Sequence, residues 1–117
     1  MVSFTIPGEL PDLNQIIEAA KSHYGAYAKL KRTNTELVAW QAKQLPKMER
    51  VNVTCRWICK DKRKDKDNIM AGTKFILDGL VMAGKLENDG WKQIGDINHE
   101  FDVDKDNPRV EVELEVV

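Results

Sequence analysis

The residues best suited to chemistry are two aspartates separated by a single residue, in the segment Asp65-Lys66-Asp67-Asn68. Carboxylate oxygens suit a hard cation such as Mg²⁺, which usually takes one or two carboxylates together with waters and phosphate oxygens. Basic residues surround the pair, and this combination suits phosphodiester chemistry. The same side chains could instead cap a helix by accepting backbone N–H groups at its start. Spacing alone leaves metal binding and helix capping both open.

Two other groups of residues have ligand-type side chains but lack the spacing of a metal site. Cys55 and Cys59 lie in an alternating segment, where an extended chain separates them by roughly 13 Å, too far for a disulfide. They are expected to be free thiols, and with His23 and His99 they form no zinc pattern. The acids of residues 102–113 occupy several EF-hand positions, but the glycine of that loop is missing and a strand follows. A solvated turn is expected there.

Charge is distributed unevenly along the 117 residues, although the net charge is only −1. Residues 21–74 carry fourteen basic and five acidic side chains, a local charge of +9. Residues 75–117 carry four basic and eleven acidic side chains, a local charge of −7. The middle of the chain is therefore the candidate anion-binding surface. The same lysines could equally be the solvated faces of helices, and charge alone does not decide between the two.

The composition, 42% hydrophobic and 32% charged, is that of an ordinary soluble protein with one domain over residues 1–117. No stretch approaches the roughly 18 consecutive apolar residues of a membrane span. The N-terminus has neither the basic start nor the long apolar run of a signal peptide. We therefore expect a cytoplasmic protein that does not associate with a membrane.

The hydrophobic periodicity predicts the elements that must position the aspartates. Period-two alternation predicts strands over residues 2–6, 50–60, 91–101 and 109–116. Helical spacing predicts a region from residue 12 to about 45, interrupted at Gly25, and a helix from Ile69 to Ala83-Gly84. The order β-α-β-α-β-β predicts an α+β domain with helices packed on one mixed sheet. The aspartate pair then lies where the second strand gives way to a helix.

The order of motifs after the second strand is more specific than any one of them. Asp65-x-Asp67-Asn68 is followed by a helix with Lys74 and Asp78-Gly79-Leu80, and then by Asn88-Asp89. In this order, residues 61–96 resemble the signature region of RusA-type Holliday-junction resolvases, as found in phages and prophages. The resemblance covers about a third of the chain at the level of motifs, and residues 1–60 agree in architecture only.

The resemblance implies a set of site residues. Asp65, Asp67 and Asp89 would bind Mg²⁺, with Mn²⁺ as a substitute, and Lys74 would be the lysine of the catalytic site. Asn68 would cap the helix or orient Asp67. Four basic residues would contact the DNA backbone, with Lys64 as the first choice among them: Lys62, Arg63, Lys64 and Lys66.

Lys74 departs from the spacing of the family. The family's lysine usually comes three residues after the asparagine of the motif, whereas Lys74 comes six residues after Asn68. On a continuous helix, the usual position of the family's lysine lies about 40° around the axis from the second aspartate, and Lys74 lies about 20° around it in the other direction. The two lysine positions differ by roughly 4.5 Å along the axis. The extra residues could equally lie in a loop before the helix. Asp78 is expected to have a structural role as the i, i+4 ion-pair partner of Lys74.

The function implied by the resemblance is that of a Mg²⁺-dependent endonuclease that resolves four-way DNA junctions in recombination and repair. Its products would carry 5′-phosphate and 3′-hydroxyl ends. Two symmetric cuts in a two-fold symmetric junction suit a homodimer. The alternative is a noncatalytic protein of phage origin that binds branched DNA through the same basic segment. Trp40, Trp57 and Trp91 are expected in the core rather than stacked on bases.

Overall fold

Four strands and four helices follow one another along the chain, and most have the hydrophobic period that the sequence predicts. The computed structural model describes residues 1–117. Its elements are β1 (Val2–Pro7), α1 (Leu13–Ser22), α2 (Ala26–Ala42), β2 (Val51–Cys59), α3 (Lys66–Met70), α4 (Thr73–Met82), β3 (Ile94–Val103) and β4 (Arg109–Val116). The α+β class and the predicted order of strands and helical regions are confirmed.

The four strands form one mixed sheet with the order β1-β4-β2-β3. β4 is antiparallel to both of its neighbours, whereas β2 and β3 are parallel. A crossover containing α3 and α4 connects this parallel pair. In this order β3 lies at one edge of the sheet. Because β2 and β3 are parallel, the segment that leads into β3 lies at the opposite end of the sheet from the segment that follows β2.

The core lies between the helices and one face of the sheet. The side chains of Val53, Cys55 and Trp57 of β2 lie on this face and are buried, as are those of Phe75 and Ile76 of α4. Full burial of a large apolar side chain contributes about 1.5–3 kcal/mol to stability. The intervening side chains of the strands, mostly polar or charged, face the other side of the sheet. The two cysteines are free, as predicted.

The first helical region is interrupted where the sequence predicts. α1 begins at a capping box, in which Asp12 Oδ1 accepts the Gln15 N–H at 2.8 Å and Gln15 Oε1 accepts the Asp12 N–H at 3.0 Å. Gly25 separates α1 from α2 with a φ of 90°, a left-handed conformation that glycine adopts without strain.

The second helical region differs from the single helix predicted from Ile69. Helix α3 begins earlier, at Lys66, and the helical region breaks at Gly72 before α4 continues. A side chain at Gly72 would lie 3.1 Å from both the Leu10 Cβ atom and the Trp57 ring, so glycine suits this close approach. The need for glycine at this position depends on contacts between residues far apart in sequence, which periodicity does not reveal.

Two of the three tryptophans lie outside the core, contrary to expectation. Trp57 is 3% exposed, whereas Trp40 is 65% and Trp91 is 95% exposed. Trp40 lies against Lys43, whose Nζ atom is 3.4 Å from the ring centroid. Trp91 falls outside the alternating pattern because β3 begins at Ile94 rather than at residue 91.

Candidate metal and nucleic-acid site

The two motif aspartates lie just beyond the C-terminal end of β2, at the start of α3. Asp65 occupies the N-cap position with an extended backbone (φ −72°, ψ 149°), but its side chain makes no capping hydrogen bond. Asp67 lies in the first turn, and its Oδ1 accepts the Asn68 N–H at 3.0 Å. Asn68 thus supports Asp67 through its backbone. Both carboxylates are exposed, and that of Asp65 has no capping role that would compete with a ligand.

A groove with several lysines lies beside Asp65, between the C-terminal ends of β2 and β3. Lys62, Lys64 and Lys66 line it together with Phe101 of β3. The Nζ atom of Lys66 lies 5.3 Å from the centre of the Phe101 ring. Parallel strands bring their C-terminal ends to the same edge, which is why Phe101 meets the loop that follows β2. Asp61 and Asp102 line the groove as well, so its three lysines face three carboxylates, one of them that of Asp65.

Lys64, the first choice for a DNA contact, has a structural partner. Its Nζ atom lies 3.0 Å from Asp12 Oδ2 and 4.0 Å from Glu9 Oε1. Burial alone would raise the pKa of Asp12, but the Gln15 N–H and the Lys64 ammonium bring that pKa below its usual value. Lys64 thus ties the basic loop to the start of α1. The more freely exposed residues of the loop are Lys62, Arg63 and Lys66.

Lys74 lies on α4, beyond the break at Gly72, so the face calculated for a continuous helix does not apply. Its Nζ atom is 3.5 Å from Asp78 Oδ1, which is the i, i+4 pair expected from the sequence. Lys31 of α2 approaches the other oxygen of Asp78, with Nζ 3.8 Å from Oδ2. Asp78 therefore links α4 to α2, an interhelical contact that sequence spacing does not indicate.

Asp89 lies in a different groove from Asp65. It follows α4, and its N–H donates to Asn88 Oδ1 at 2.8 Å. On one side it faces a groove lined by Lys31, Arg32 and Asp78. On the other side it adjoins a shallow apolar depression formed by Trp91, Ile94, Gly95 and Ile97.

The fold separates Asp89 from the Asp65-Asp67 pair within one chain. The pair follows the end of β2, whereas the segment after α4 returns to the start of β2, where the Met48 N–H donates to Lys85 O at 2.8 Å. No three His, Cys, Asp or Glu side chains gather in a geometry that could hold a metal ion. The structure thus brings Asp65 together with the basic loop, and Asp89 together with Asp78.

The outer face of the sheet carries an ion-pair network that sequence reasoning missed. Arg56 approaches Glu100 at 2.9 Å, Glu111 at 3.0 Å and Glu113 at 3.6 Å. Arg109 bridges Asp104 and Glu111 on the same face. The alternating arginines and glutamates of the strands were the sequence signal for this network. Which of them pair depends on which strands are neighbours, and the sequence does not give that order. Acidic side chains outnumber basic ones here, so this face repels polyanions.

Comparisons with protein families and with curated proteins give no relative from which a function could be transferred. No protein-family model matches the chain, and no curated protein matches it. None of its helices combines the length and the apolar character that crossing a membrane requires.

Proposed function

We propose that this chain is a metal-dependent endonuclease of the RusA type that cuts branched DNA, with four-way junctions as its substrate. The observation that supports this best is the position of Asp65 and Asp67, both exposed at a strand end and helix start, with Asp65 in a groove that Lys62, Lys64 and Lys66 also line. Free carboxylates adjoining cationic side chains are what phosphodiester hydrolysis requires, because the cations hold the phosphate that the metal must reach.

The distribution of charge defines the side that DNA would approach. The basic loop of residues 60–66 lies at the C-terminal ends of β2 and β3, whereas the outer face of the sheet is acidic. A phosphate backbone is attracted to the first surface and repelled by the second. Lys62, Arg63 and Lys66 would contact it directly, while Lys64 holds the loop in place through Asp12.

A homodimer formed through β3 is part of this proposal. β3 is a ten-residue edge strand, and Ile97 (41% exposed) and Val103 (40% exposed) share the core-facing side with Val53 and Cys59 of β2. A long edge strand with an uncovered apolar side is a pairing surface that proteins rarely leave open. A second copy of the chain is the occupant we propose, because two-fold pairing of β3 with itself would cover both edges at once.

This dimer would also complete the acidic set. Asp65 adjoins the Phe101 and Val103 end of β3, and Asp89 adjoins its Ile94 and Ile97 end. In an antiparallel β3 pair, each end of one strand lies beside the opposite end of the other. Asp65 and Asp67 of one chain would then lie next to Asp89 of the partner subunit. Two such composite sites, related by the two-fold axis, match the two cuts that symmetric resolution needs.

The residues of each composite site have separable roles. When bound, Mg²⁺ or Mn²⁺ supplies Lewis-acid activation of water and of the phosphodiester. Asp65 and Asp67 of one chain would hold the ion together with Asp89 of the partner subunit. Lys62 and Lys66 would position the phosphate, and Lys74 would offset charge on it after leaving its 3.5 Å contact with Asp78.

A noncatalytic branched-DNA-binding protein is the second candidate. The observation that favours it is the separation of Asp89 from Asp65 and Asp67 within one chain, which leaves the basic groove intact but the acidic set incomplete. This candidate predicts junction binding without cleavage.

Incubation with an end-labelled four-way junction, in Mg²⁺ and separately in Mn²⁺, tests the proposal. We expect paired nicks with ligatable ends in the wild-type chain, and binding without nicks in Asp67→Asn. Glu115→Gln, on the outer face of the sheet beside Asn52 at the opposite end of β2, serves as the charge-matched control and should cut normally. Binding without nicking by the wild-type chain in both metals would establish the noncatalytic candidate instead.

A further inference from the structure

The groove between α2 and α4 contains two buried polar atoms without a hydrogen-bond partner. These are Thr35 Oγ1 and Asp78 Oδ2. Thr35 is 4% exposed, and both residues line the same groove. Buried polar groups are almost always satisfied by protein, water or an ion, so two such oxygens lining one groove are candidate ligand atoms.

The helix itself does not satisfy Thr35. A threonine within a helix can donate to the carbonyl four residues earlier, and the neighbouring Asn34 makes this type of bond to Leu30 O at 2.9 Å. The Thr35 hydroxyl makes no such bond. Its oxygen is therefore free to act as a ligand.

The lysines near Asp78 hold it only loosely. Lys31 Nζ lies 3.8 Å from Oδ2 and Lys74 Nζ lies 3.5 Å from Oδ1, both longer than a charge-assisted hydrogen bond. Both lysines are half-exposed on flexible stems and can leave without disturbing the helices. The Asp78 carboxylate is therefore open to replacement of these lysines by another cation.

The same groove supplies further oxygen ligands. Asn88 and Asp89 line it together with Lys31 and Arg32, so its oxygens are those of two carboxylates, a hydroxyl and the Asn88 amide, which also accepts the Asp89 N–H at 2.8 Å. Mg²⁺ and Mn²⁺ prefer such an all-oxygen set and complete their coordination with water. Softer metals would find no thiolate or imidazole here.

We propose that the α2–α4 groove binds one divalent cation of the Mg²⁺ or Mn²⁺ type through Asp78 and the Thr35 hydroxyl, with Asp89 as the second carboxylate. This site lies within one chain and requires neither dimerisation nor nuclease activity. It shares only Asp89 with the composite site proposed above. Binding of the cation displaces Lys31 and Lys74 from Asp78 toward solvent.

Mn²⁺ titration followed by electron paramagnetic resonance, which reports free Mn²⁺, tests the site without any measurement of cleavage. The Asp67→Asn background removes the composite site, and we expect about one Mn²⁺ per chain to remain bound in it. Adding Asp78→Asn should abolish this binding, and adding Thr35→Val should weaken it roughly tenfold. Thr35→Ser restores a hydroxyl and should restore affinity, while Thr33→Val, an exposed position on the same helix, is the matched control.

Two results would overturn the site. One is the loss of all Mn²⁺ binding in Asp67→Asn alone, which would leave the nuclease proposal standing. The other is unchanged Mn²⁺ affinity in Asp78→Asn, which would mean that the bound cation lies outside the α2–α4 groove. If Thr35→Val unfolds, judged by circular dichroism, the Asp78→Asn and Thr35→Ser variants still decide the question.

Discussion

Lys64 Nζ lies 3.0 Å from Asp12 Oδ2, so the residue immediately before the first motif aspartate is anchored to the first residue of the α1 capping box. The Asp12 side chain is nearly buried, whereas Lys64 is partly exposed. This contact couples the basic loop to the body of the protein. The lysine next to Asp65 thus has a structural role that its neighbours in the loop do not share.

The Lys64–Asp12 pair predicts different effects for two lysines of the loop. Lys64→Met should lower the free energy of unfolding by about 1–2 kcal/mol, because it leaves the Asp12 carboxylate without its cation. Lys62→Met should leave stability unchanged and weaken junction binding with a reduced salt dependence. Urea unfolding and binding titrations at several salt concentrations measure both. Equal stability of the two variants would contradict the anchoring role.

The composite site predicts complementation between inactive chains. Asp67→Asn and Asp89→Asn should each abolish cleavage when pure. After mixing and subunit exchange, half of the sites in a mixed dimer carry both substitutions and the other half carry none, so single-strand nicking should return. Measurement of nicked junction against mixing ratio checks this. Activity that stays absent after verified exchange would mean that the three aspartates act within one chain.

The uncovered side of β3 predicts the effect of a charge at Ile97. Ile97→Lys should shift the chain from dimer to monomer, because it places a charged lysine from each chain against the apolar side of β3 in the other chain. Ser3→Lys, on the opposite edge strand β1, should leave the dimer intact. Light scattering coupled to size exclusion measures the mass. A wild-type chain that is monomeric at micromolar concentration would remove the dimer from the proposed function.

His99 predicts a loss of stability at mildly acidic pH. The Trp57 Nε1–H donates to His99 Nδ1 at 2.9 Å, and burial lowers the pKa of His99 from its usual 6.5. As pH falls below about 6.5, His99 becomes protonated in the unfolded chain but stays neutral in the folded chain. The free energy of unfolding therefore declines until the pH passes the lower pKa of His99 in the folded chain. His99→Gln should flatten this part of the profile. Thermal unfolding between pH 5 and pH 8, compared with the equivalent His23→Gln control, measures it.

Most element boundaries follow from the sequence because they depend on local features. Alternation locates β2 and β4, Gly25 locates the break between α1 and α2, and Gly84 ends α4 with a φ of 74°. The break at Gly72 does not follow, and the need for glycine there depends on Leu10 and Trp57, which approach from elsewhere in the chain. Exposure of Trp91 likewise depends on where β3 joins the sheet.

By itself, the sequence determined that Asp65 and Asp67 lie together where a strand passes into a helix, because two residues one apart remain neighbours in any local structure. It did not determine how they relate to Asp89. Only the tertiary structure decided how the pair lies relative to Asp89. Because β2 and β3 are parallel, the chain must return from the C-terminal end of β2 to its N-terminal end before β3 begins. The same packing brought Asp78 within 3.8 Å of Lys31 and into one groove with Thr35, both residues of α2 more than forty positions away in sequence.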